Sequence, residues 1–130
     1  MAHLLVTQLR FARSEFKRGL EEVTPEEAQR RFVPMNCISW MVGHLANQEH
    51  RYWLMLAQGK KLFPELNDLV GYGKPASTPS LDEMWGIWHT VTAEADAYLE
   101  NLTSTDLLVT YMLKGKPVTG LSNRRAAEAG

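Results

Sequence analysis

The sequence predicts an all-α protein, an up-down bundle of amphipathic helices. Two observations carry this. Three long stretches repeat their apolar residues every three or four positions, and capping residues or Pro and Gly bound these stretches. There is no internal repeat, low-complexity tract or long linker, so residues 1–130 form one domain.

The first helical pattern runs from about His3 to Glu22, with Leu5, Leu9, Ala12, Phe16 and Leu20 on one stripe. Thr24-Pro25-Glu26-Glu27 reads as a new helix start: Thr24 caps, Pro25 suits the first helical position, and Glu27 completes a capping box. That helix ends by Phe32, because Pro34 disfavours helix at Val33. The second long pattern opens at Asn36 and reaches Gln58 or Gly59. Its stripe holds Ile38, Met41, Val42, Leu45, Tyr52, Trp53 and Leu56. From Leu62 to Pro79 the periodicity is lost and Pro and Gly mark a loop. Ser80-Leu81-Asp82-Glu83 is a second capping box. Leu81, Met84, Trp85, Trp88, Val91, Ala95 and Leu99 follow at helical spacing, to about Asn101 or Thr103. Leu107 to Leu113 suits a short strand or an extended connection. Leu121 to Ala129 is helix-prone and polar, so 121–130 reads as a stub. A fourth long helix is thus truncated or atypical, and a partner chain could cover the wide stripes.

Composition narrows the function classes. Fourteen Lys and Arg against fifteen Asp and Glu give a net charge of -1, which is no footprint for nucleic acid or an anionic membrane. The longest apolar run, Tyr52 to Ala57, is far short of a membrane span. One cysteine, Cys37, excludes a disulfide-stapled scaffold. With no signal peptide visible, a cytoplasmic protein is expected. There is no phosphate loop, paired Cys motif, GxSxG or HExxH.

The densest candidate segment is Trp40 to Trp53. On a helical wheel His44 lies about 100–120° from the stripe centre near Ile38, Leu45 and Leu56, at the edge of a groove between helices. It is either a boundary histidine bonded to a neighbour or a ligand. Glu49 projects within about 20° of that centre, where a carboxylate needs a partner. Either it pairs with an Arg such as Arg10 or Arg13, or it serves as a metal ligand, an orienting group or a general base. His50 reads as solvated. His89, on the third long helix, approaches His44 only if the helices are rotated favourably. His3 is near the terminus and expected to be irrelevant. Cys37 reads as a small packed residue, and the four tryptophans as core or dimer interface.

The run Cys37-Ile38-Ser39-Trp40-Met41-Val42-Gly43-His44-Leu45-Ala46-Asn47-Gln48-Glu49-His50-Arg51-Tyr52-Trp53 resembles the second helix of the DinB-like (DinB/YfiT) superfamily. Leu20 to Glu27 resembles that family's first connection, and Thr78 to Trp85 its next segment; the likeness spans roughly residues 5 to 105. It implies a four-helix bundle, commonly dimeric, with a divalent metal, zinc or nickel, held by three histidines. His44 corresponds to the ligand in the family's G-H-L-A segment. The other two usually form an H-x-x-x-H pair on the fourth helix, leaving an open position for water or substrate. Relatives include isomerases and transferases that use a low-molecular-weight thiol, mycothiol or bacillithiol. This sequence departs from that pattern, because no histidine follows Leu113. The resemblance therefore implies a metal-dependent thiol transferase or hydrolase with an incomplete site, His44 as ligand and His89 as a weaker candidate. The alternative is a non-catalytic, metal-free helical module that dimerises through its uncovered stripe. A third outcome is a chain without a stable fold.

Overall fold

A computed structural model describes residues 2–106, 110–113 and 116–119. The architecture is helical, as the periodicity requires. Helix α1 spans Leu4–Gly19, α2 Pro25–Gln29, α3 Ile38–Glu49, α4 Leu66–Val70 and α5 Leu81–Leu99. Strands β1 (Thr110–Leu113) and β2 (Lys116–Thr119) pair antiparallel, Thr110 opposite Thr119 and Leu113 opposite Lys116. The expected stub over 121–130, and with it any fourth helix there, lies outside the described residues.

Local chemistry sets most boundaries. His3 accepts the Leu5 N–H at the start of α1 and reaches the Ser104 hydroxyl at 3.1 Å, so it joins the N-terminus to the segment after α5 rather than being idle. Lys17 and Arg18 complement the negative end of the α1 dipole. The α2 capping box forms as the sequence predicts, with Thr24 and Glu27 exchanging backbone-to-side-chain bonds of 3.1 Å. Ser80 caps α5 through the Glu83 N–H, but Glu83 returns no bond to the Ser80 backbone, so the second expected box forms only in half. Helix α3 is capped at Cys37 rather than Asn36, without a side-chain bond.

Two features were not legible in the periodicity. Helix α3 does not continue as an α-helix to Gln58. It passes into a π-helical turn over His50–Leu56, and Gly59, at φ +68°, closes the run with its N–H on the Met55 carbonyl. Helix α4 forms inside the stretch expected to be loop, because Leu66 and Val70, four apart, bury themselves against α3.

The core face of α3 also differs from expectation. Its buried residues are Ser39, Val42, Gly43, Ala46, Asn47 and His50, with Trp40 beside them. Ile38 and Leu45 are only half-buried and Met41 is exposed. The true core direction lies roughly a third of a turn from the stripe of large apolar residues. The reason is close packing. Small residues on α3 admit the large side chains of α5, Met84 and Trp88, and a Cβ at Gly43 would collide with the Met84 sulfur and approach Val70 Cγ1 at 3.1 Å. A second cluster, Val6, Leu54, Val91, Ala95 and Leu99, closes the other end of the bundle.

Candidate functional site

Helix α3 presents His44 at the edge of the packed face, half-buried. Three neighbours fix its ring. Trp40, one turn earlier, stacks on it with centroids 4.7 Å apart and planes 11° from parallel. The Val70 carbonyl lies 2.7 Å from Nδ1. Gln48, one turn later, places its amide nitrogen 3.3 Å from Nε2. A carbonyl can only accept, so Nδ1 carries the proton, and in the neutral ring Nε2 holds the lone pair. The Gln48 amide donates to that lone pair.

The carbonyl is itself held in place. The Asn47 side-chain amide donates to Asn67 Oδ1 at 3.0 Å, and the Gly71 N–H bonds the Asn67 carbonyl at 2.9 Å, closing α4 just where Val70 ends it. Gly43 lets α4 and α5 approach closely beside His44. Trp40 is buried and its indole N–H has no hydrogen-bond partner.

Glu49 has a different environment. Both of its carboxylate oxygens accept from Arg13 Nε, at 3.1 and 2.9 Å, and Oε1 also meets Arg13 Nη2. The side chains are 9% (Arg13) and 13% (Glu49) exposed, so the pair is largely desolvated. Arg13 extends the network to Asp96 at 2.7 Å, and Asp96 is shared with Arg10, which also reaches Glu100 at 2.9 Å. The structure therefore gives Glu49 the ion-pair role, tying α3 to α1 and α5. Asp96 and Glu100 had no distinguishing mark in the sequence beyond lying on the polar side of α5.

His50 corrects an expectation. It is 1% exposed rather than solvated, and its Nε2 accepts from the backbone N–H groups of Leu62 and Phe63 at 3.1 and 3.2 Å. Burial, with Lys61 nearby, holds its pKa below the usual histidine range. Its lone pair is used by the backbone and is not offered to a ligand. The π-helical turn begins at this residue, which no periodicity count signalled. Cys37 is buried against the Ser39 hydroxyl and the Ser77 carbonyl, as a small packed residue should be. Trp40 and Trp88 are core, while Trp53 and Trp85 are half-buried.

His89 stands on the exposed side of α5, in a cleft shared with α1, with its ring against Trp85. Among the described residues no three His, Cys, Asp or Glu side chains gather as a metal site. Thus His44 supplies one oriented donor, and neither His89 nor Glu49 joins it in a ligand cluster.

A family model, mycothiol-S-transferase, matches residues 4–127. The chain belongs to this family, which is DinB-like. Membership accounts for the helical order and for the conspicuous segment around His44, and it places the chain among thiol-related transferases. A search of the curated proteins finds no match. Among the described residues no helix is long and apolar enough to cross a membrane.

Proposed function

We propose that the chain is a transferase that uses a low-molecular-weight thiol of the mycothiol kind and depends on a divalent cation, zinc or nickel, bound in part by His44. One observation carries this: the His44 ring is oriented by the Val70 carbonyl at 2.7 Å so that its Nε2 lone pair faces away from the backbone. Histidines that ligate metals have their other ring nitrogen held in this way. The donor set fits one ligand position and no more. A carboxamide such as Gln48 is a weak donor, and the sequence has only three other histidines, His3, His50 and His89. The residues outside the described ones add no histidine, cysteine or aspartate and one glutamate, Glu128, so the further ligands come at least in part from another chain.

A divalent cation held in part by His44 would supply Lewis acidity and would favour the thiolate form of a bound thiol. The protein's own part is positioning. Val70 keeps the proton on Nδ1, Trp40 shields one face of the ring from water, and Gln48 donates to Nε2. The same proposal has the protein working in the cytoplasm as a homodimer, with the half-exposed Ile38 and Leu45 and the exposed Met41 on α3 as the apolar surface available for contact.

The test is metal content after reconstitution with zinc or nickel, paired with a thiol-transfer assay. The expected result is stoichiometric metal in the wild type and its loss in His44→Ala with the helical spectrum intact. A wild-type protein that folds cooperatively and takes up no metal would overturn the proposal, as would a His44→Ala variant that binds metal like the wild type. Light scattering at high concentration tests the dimer, and a monomeric mass would remove that part alone.

A further inference from the structure

A cleft of about 610 Å³ lies between the first half of α5 and the end of α1 with its connection to α2, and no residue of α3 lines it. Its walls include Leu20, Val23 and Leu81, and it borders the half-buried indole of Trp85. The two helices run antiparallel: Arg10 meets Asp96 and Glu100, while Phe16 meets Trp85 and Trp88. Charge is therefore sorted along the cleft. Lys17 and His89 occupy one end, and Glu21 and Asp82 the other.

The basic end is available to a ligand. Arg18 is engaged by Glu15 at 2.6 Å, whereas Lys17 takes no part in the ion pairs of the described residues. The His89 ring lies against the Trp85 indole, centroids 6.1 Å apart and planes 24° from parallel. Burial, and then the charge of Lys17, hold the His89 pKa below its usual range. At neutral pH the ring is uncharged and keeps one N–H to donate. Asp82 is seven residues from His89, about 10 Å along the helix axis at ~1.5 Å per residue. That distance is roughly one Debye length at physiological salt, so an anion beside His89 is partly screened from Asp82, while Glu21, four residues from Lys17, stands closer and opposes it. Helix dipoles explain why bases close α1 and acids open α5. They do not explain why a largely apolar cleft with an accessible indole remains between them.

We propose that this cleft binds a small aromatic carboxylate, with its ring packed on Trp85 and its carboxylate beside Lys17 and the His89 N–H. The indole offers a flat apolar face and Lys17 supplies the complementary charge. The site is separate from the His44 neighbourhood and stands whether or not His44 binds a metal.

Three probes of similar shape and different charge test it: indoleacetate, indole and tryptamine, titrated calorimetrically into the full chain. Indoleacetate is expected to bind saturably at one per chain and more tightly than indole, with tryptamine weakest. Lys17→Gln, an exposed substitution whose fold is checked by circular dichroism, should weaken indoleacetate about fivefold, the size of one exposed charge pair, and leave indole unchanged. Absence of saturable indoleacetate binding overturns the proposal. So does a preference for tryptamine, or a Lys17→Gln variant that loses both ligands equally or neither.

Discussion

His44 and His50 stand six positions apart on one continuous helical run and have opposite fates. The Nδ1 of His44 is bound to a backbone carbonyl, which leaves Nε2 to a replaceable amide. His50 is buried, and its Nε2 is taken by two backbone N–H groups. Glu49, between them, is equally committed, to Arg13. Residue type therefore says little about which group is left for chemistry. What decides is whether the neighbours use up its last lone pair.

The committed side should carry the larger stability. Arg13→Ala leaves the Glu49 carboxylate desolvated without its partner, and is expected to cost about 3–5 kcal/mol in urea unfolding. A loss below about 1 kcal/mol would place that pair with ordinary surface ion pairs. His50→Ala leaves two N–H groups without an acceptor and opens a cavity, for an expected loss of about 2–4 kcal/mol. A wild-type melting temperature in that variant would show that the Leu62–Phe63 turn is held by other means.

Acid should weaken the side that His50 holds. The folded pKa of His50 is lowered from 6.5 by burial and by Lys61, so the unfolded chain binds the proton more readily. Its contribution to stability is complete above about 6.5 and is lost as pH falls from there through the lower folded value. His89, also lowered, adds to the trend with the same sign. Unfolding midpoints measured from pH 7.5 down to 5 should decline, and more shallowly in His50→Gln. Equal slopes would assign the acid sensitivity elsewhere. The smallest stability effect belongs to His44→Ala, about 1–2 kcal/mol for the Val70 and Gln48 hydrogen bonds and the Trp40 stacking at a half-buried ring, even though it removes the donor on which the proposed metal uptake depends. A loss as large as that of His50→Ala would make His44 a structural residue of the same kind.

Much of this molecule was legible in the residues. The capping box at Thr24 and Glu27, the Ser80 cap and the apolar repeats of α1 and α5 are local signals, and each formed near its predicted place. The segment around His44 carried the family resemblance. Less visible was the rotation of α3. The stripe Ile38, Met41, Leu45 is the more hydrophobic face, yet Gly43, Ala46 and Ser39 are buried, because a small face lets α5 and α4 come close. A wheel that weighs hydrophobicity cannot register the benefit of close approach. Helix α4 was missed for a related reason: five residues are too few to show a period, and they hold helical form by docking.

The sequence by itself determined the helical class, the caps, the near-neutral charge and the position of His44 on a helix edge, since these follow from short-range periodicity and residue chemistry. Only the tertiary structure decided which nitrogen of His44 keeps its proton, that Glu49 belongs to Arg13, and that His50 serves the backbone. Each depends on a partner far along the chain, Val70 for His44 and Arg13 for Glu49, or on the loop that folds back after Gly59. Hydrogen bonds and ion pairs act over a few ångströms of space, and linear order does not record which groups folding brings within that range.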